Sequence, residues 1–91
     1  MYIVYTSLIW KYRAATMQKI REVRTGAGIS VSDLASLIGT ESSAVYHYET
    51  GRRIPDFNQC WKIVNALNSL GAKCSFNDVF PNPESNTTAN R

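Results

Sequence analysis

The chain has 91 residues, enough for one compact domain but not two, and too few to frame a deep catalytic cleft. Hydrophobic residues make up 44% of it and aromatics 11%, which excludes a chain that is disordered throughout. Ten Lys and Arg against seven Asp and Glu give a net charge of +3, a balance that suits a polyanionic partner without requiring one. Two cysteines, Cys60 and Cys74, are too few for a disulfide framework, and the single histidine, His47, has no neighbour at metal-ligand spacing. No cofactor or metal is therefore expected, and the thiols are read as reduced in a cytoplasmic protein. The apolar opening is far shorter than the roughly 20 residues a membrane helix needs and carries no basic residue ahead of it, so neither a leader peptide nor a membrane partner is expected.

Residues 1–15 read as an N-terminal extension. Within it, residues 2–10 (YIVYTSLIW) are β-branched and aromatic, which suits a short extended strand. A lone strand needs a partner, so either it pairs with its own copy in a dimer or it is an extension the domain tolerates, Met17 being an alternative start. From about Ala14 the pattern turns helical, with Ile20 and Val23 on one face and Lys19, Arg21 and Glu22 elsewhere, until Gly26 and Gly28 end the run. Ser30 has the chemistry of an N-cap, with Asp33 at the third helical position to complete a reciprocal capping box. Ile29 and Leu34 are spaced as a hydrophobic staple. The helix Val31–Ile38 stops at Gly39, which tolerates the left-handed conformation.

Thr40 is placed to cap the next helix, residues 41–50, with Val45 and Tyr48 facing inward and Gly51 ending it. After Pro55, Asp56 caps a longer helix whose buried stripe reads Phe57, Cys60, Ile63, Val64 and Leu67, closed by Gly71. Ser75 and Asp78 form a second capping-box pair for a last short helix that ends at Val79 and Phe80 before Pro81. Residues 81–91 (PNPESNTTANR) hold almost nothing apolar and read as a mobile tail. The expectation is an all-α fold of five helices spanning residues 16–80.

Two short helices around a glycine turn, with the small Ala35 where they cross and Val45 anchoring the second to the core, describe a helix-turn-helix. Together with Arg24, the run from Ile29 to Ala35, Gly39, the segment Tyr48-Glu49-Thr50-Gly51-Arg52-Arg53-Ile54-Pro55 and the run from Ile63 to Leu67, these residues resemble the phage Cro and repressor-type (xenobiotic-response-element, XRE) helix-turn-helix family over residues 17 to 80. The resemblance implies a lambda-repressor-like five-helix domain that binds double-stranded DNA, as a homodimer on a palindromic operator. It further implies a buried ion pair between Arg24 and Glu49.

With Val45 and Tyr48 inward, Ser42, Ser43, Tyr46 and His47 fall on the outward face near the helix start and are the candidate base readers. The family position matching His47 often reads a base. Glu41, just ahead of them, either accepts from a cytosine amino group or serves the helix dipole, at a cost in repulsion from phosphate. Phosphate contacts are expected from Ser30, Thr40, Arg52 and Arg53, with Lys19 and Arg21 assisting. Val31 departs from the family pattern, in which a glutamine commonly braces the DNA backbone, and the fourth helix reads about one turn longer than usual. Trp61 borders the apolar stripe as a candidate subunit contact, while Cys60 and Cys74 sit at packing positions.

The leading functional reading is a sequence-specific transcriptional regulator, a repressor. The alternatives are a DNA-binding antitoxin that holds a small protein partner through its apolar N-terminal segment, and a protein-binding helical module on the same fold. An enzyme is not expected, because Ser42, Ser43 and His47 lack a third catalytic group and an oxyanion-binding loop.

Overall fold

The computed structural model describes residues 17–82. The extension read over residues 1–15, its strand, and the tail beyond Asn82 lie outside the described residues. Among these residues five helices follow one another, α1 (Ile20–Gly26), α2 (Val31–Ile38), α3 (Ser42–Glu49), α4 (Phe57–Ser69) and α5 (Phe76–Val79), and there is no strand. The fully buried side chains are Ile20, Leu34, Val45, Ile63, Leu67 and Val79, so every helix delivers at least one apolar residue to a single core. The second helix is central, packing on both α3 and α4, while α1 rests on α3 and α5 on α4.

Local chemistry explains most boundaries. Ser30 is extended and its hydroxyl oxygen accepts the Asp33 amide at 3.0 Å. The expected reciprocal bond from the Ser30 amide to the Asp33 carboxylate is not made, so only half of that capping box forms. Ile29 and Leu34, on either side of the cap, are both buried in the core. The second box is complete: Ser75 accepts from the Asp78 amide at 3.2 Å and its own amide donates to the Asp78 carboxylate at 2.8 Å. Those bonds hold the Asp78 carboxyl below its ordinary range. A carboxyl lowered on folding stabilises at neutral pH, and that contribution is lost as pH falls through its folded-state pKa.

Gly39 ends α2 with φ +73°. Its amide donates to Ser36 O at 3.3 Å and the following Thr40 amide to Ala35 O at 2.9 Å, the paired bonds that close a helix through a left-handed residue. Open space surrounds the position a Cβ would take, so backbone conformation alone demands glycine here. Gly39→Ala is expected to cost roughly 1–2 kcal/mol, read as a lower urea midpoint at unchanged slope; an unshifted midpoint would contradict this account.

Three expectations need correction. The first helix of the described residues begins at Ile20: Met17 to Lys19, which the pattern from about Ala14 would include, are non-helical, because the Gln18 side chain turns back and accepts the Ile20 amide at 2.8 Å. Thr40 does not cap α3. Its amide is committed to Ala35, the extended residue at the N-cap is Glu41, and no side chain caps that helix, which spans Ser42–Glu49 rather than residues 41–50. Phe57 does not join the buried stripe. It occupies the first position of α4, nearly two turns ahead of Ile63, the first residue of that helix to face the core, and is 70% exposed. Its ring lies instead against Trp61 and Phe76, with centroids at 6.5 and 6.0 Å. Asp56 does cap that helix, accepting from the Gln59 amide at 2.7 Å.

Candidate nucleic-acid interface

The third helix divides cleanly into two faces. Ala44, Val45 and Tyr48 are buried, while Ser43 and Tyr46 are exposed and Ser42 and His47 are half-buried. This follows from the 3.6-residue turn: positions 44, 45 and 48 share the side that α2 covers, which leaves 42, 43, 46 and 47 on the other. The exposed side is polar and aromatic and carries no Lys, Arg, Asp or Glu. Glu41 stands exposed just ahead of it, and Arg52 and Arg53 stand exposed just behind.

What holds α3 in place is polar. The Glu49 side chain, at its C-terminal end, has no exposed surface. Its carboxylate accepts from Arg24 Nε at 2.7 Å and Arg24 Nη2 at 3.3 Å, a two-toothed arrangement suited to a planar guanidinium. Arg24 also donates from Nη1 to Ile29 O at 3.0 Å, so one side chain ties α1 to both the approach of α2 and the end of α3. Arg21 Nε reaches the same carboxylate at 3.3 Å from a side chain that remains 56% exposed.

Gln18 is a site residue that the sequence reading missed. It is the one buried polar residue among those described. Its amide nitrogen donates to Tyr48 O at 3.1 Å and Glu49 O at 2.9 Å, while its oxygen accepts from Ile20. It thereby satisfies backbone groups at the end of α3 and the start of α1 at once. A glutamine ahead of an apolar helical run carries no signal of this in sequence, since its partners lie about thirty residues away. Gln18→Ala is expected to lower stability by about 1–3 kcal/mol through the carbonyls it strands, measured by chemical denaturation; a variant as stable as the parent would remove Gln18 from this role.

The other predicted residues are distributed as follows. Ser30 is exposed at the head of α2, its oxygen engaged by Asp33, which leaves the hydroxyl hydrogen able to donate. Thr40 is half-buried between α2 and α3 and Lys19 is exposed at the start of α1. The Arg53 amide donates to His47 O at 3.1 Å and its guanidinium stands 6.0 Å from the centre of the Tyr48 ring, which draws it against the end of α3. Val31 is buried in the core, so the family's bracing position is spent on packing.

Neither cysteine is poised for chemistry. Burial, helped by Asp56, pushes the Cys60 thiol up to about 11, and burial with Asp78 also raises Cys74, so both stay protonated at neutral pH. Among the described residues no group of His, Cys, Asp or Glu is arranged to hold a metal ion. No helix among them is long and apolar enough to cross a membrane.

Two short helices crossing at a buried Ala35, with the second pinned at its far end and bare along one face, define a DNA-binding helix-turn-helix domain. A helix-turn-helix family model matches residues 20–71, more than half of the chain. The protein belongs to the XRE-type helix-turn-helix family, a family of DNA-binding regulators and not typically of enzymes. No curated protein and no solved structure matches it.

Proposed function

We propose that this protein is a sequence-specific transcriptional repressor of the cytoplasm that binds a palindromic operator as a homodimer. The observation that carries the reading is the polar, outward face of α3 set between Glu41 and the Arg52–Arg53 pair. Ser42, Ser43, Tyr46 and His47 are the proposed base contacts: hydroxyls and imidazole exchange hydrogen bonds with base edges, and the Tyr46 ring packs on a thymine methyl. Glu41 accepts from a cytosine amino group and so disfavours other bases beside it. Arg52 and Arg53 clamp phosphates after the reading helix, with Ser30, Thr40 and Lys19 on the backbone nearer its start. Arg21, sharing Glu49, contributes charge more than reach. Repression follows from occupying promoter DNA, and a homodimer sets two reading helices roughly 34 Å apart on one face of the duplex.

Selection of bound sequences from random DNA tests the whole reading. Enrichment of a palindrome is the expected result, and it would establish specificity and two-fold symmetry together. Absence of any enriched sequence at low salt would overturn the repressor assignment.

A further inference from the structure

The aromatic face of α4 and α5 lies away from the reading helix: Phe76 and Phe80 are half-buried against the edge of the core, while Phe57 and Trp61 extend from them into solvent. Phe57 and Trp61, one turn apart on α4, meet Phe76 at the start of α5, which in turn meets Phe80 just past its end. The Trp61 and Phe76 rings lie 4.6 Å apart and those of Phe76 and Phe80 5.3 Å apart. Phe57 is 70% exposed and Trp61 43%. Contiguous aromatic surface of this kind is costly to leave in water and marks a docking site.

The beginning of the described chain supplies the occupant. The Lys19 amide donates to Val79 O at 2.8 Å, and Val79 lies on α5 between Phe76 and Phe80. The chain ahead of Lys19 is thus anchored at the edge of the aromatic face. Seven of the nine residues 2–10 (YIVYTSLIW) are aliphatic or aromatic. The eight residues 11–18 that join them to this anchor span up to about 28 Å when extended, several times the spacing between neighbouring rings. A tether that short also holds the segment near the face at an effective concentration of order millimolar, well above what a separate molecule reaches.

We propose that the aromatic face of α4 and α5 is the docking surface for residues 2–10 of the same chain. Binding there shields Trp61 and closes the face to other partners, and it is independent of whether the reading helix recognises an operator.

Trp10 and Trp61 are the two tryptophans, so Trp10→Phe makes Trp61 the sole reporter in a full-length chain. Acrylamide quenching of its fluorescence is compared with that of the same chain carrying Leu8→Asp and Ile9→Asp. Far-UV circular dichroism checks that both chains are equally helical. The expected result is at least about a twofold rise in quenching on adding the two aspartates, in proportion to the ring surface returned to water, at micromolar and sub-micromolar protein alike. Equal quenching in both chains would overturn the proposal. So would protection that vanishes on dilution, which would make the occupant a second copy.

Discussion

Replacing Arg24 with alanine lowers the melting temperature by on the order of 10–20 °C, whereas Arg91→Ala leaves it nearly unchanged. The Glu49 carboxylate is removed from water and rests chiefly on the Arg24 guanidinium at 2.7 Å. Removing one partner of a buried pair strands the other, at a cost of about 3–5 kcal/mol. Arg21 remains within reach of Glu49 at 3.3 Å but is largely exposed, and an exposed pair recovers at most about 1 kcal/mol. The remaining loss, about 2–4 kcal/mol, corresponds to the stated shift at about 5 °C per kcal/mol, near the lower end of the range for a domain of this size. Thermal unfolding followed by circular dichroism measures it, and equal melting temperatures for Arg24→Ala and Arg91→Ala would refute the account. The double variant Arg24→Ala with Glu49→Ala should be less destabilised than the two single losses summed, because it leaves no unmatched buried charge.

The second large effect concerns DNA. Arg52 and Arg53 are exposed immediately after α3, and each phosphate contact releases counterions on binding. Converting both to alanine should flatten the slope of log affinity against log salt by about 1.8, at 0.9 per contact. Fold stability should change little, since neither arginine enters a buried ion pair. Fluorescence anisotropy across a salt series on one duplex provides the measurement. An unchanged slope with weakened binding would assign the two arginines a role other than phosphate contact. Losing His47 should instead alter which sequences bind and leave the salt slope intact.

Much of this was legible from residue order. The caps at Ser30, Asp56 and Ser75, the left-handed turn at Gly39 and the inward Val45 and Tyr48 are local events set by residues within four positions of one another. The resemblance to the Cro and repressor-type family pointed to Arg24 and Glu49, which the fold brings into contact. The failures were of another kind. Phe57 fits the apolar stripe by spacing, but spacing cannot tell whether any element faces the first turn of a helix. Thr40 has the chemistry of a cap, but the turn that closes the helix before it sets the next helix one residue later, with Glu41 at the N-cap.

The order of residues alone determined the five helices of the described residues, their starts and stops to within a few positions except the start of the first, and a helix-turn-helix at their centre, because periodicity and capping act over a single turn. Tertiary structure alone decided that Gln18 braces both α1 and α3, that Arg21 shares the carboxylate of Glu49, and that four aromatic rings from α4 and α5 gather on one face. Each of those depends on side chains distant in the chain meeting once the helices have packed, and no local pattern encodes such a meeting.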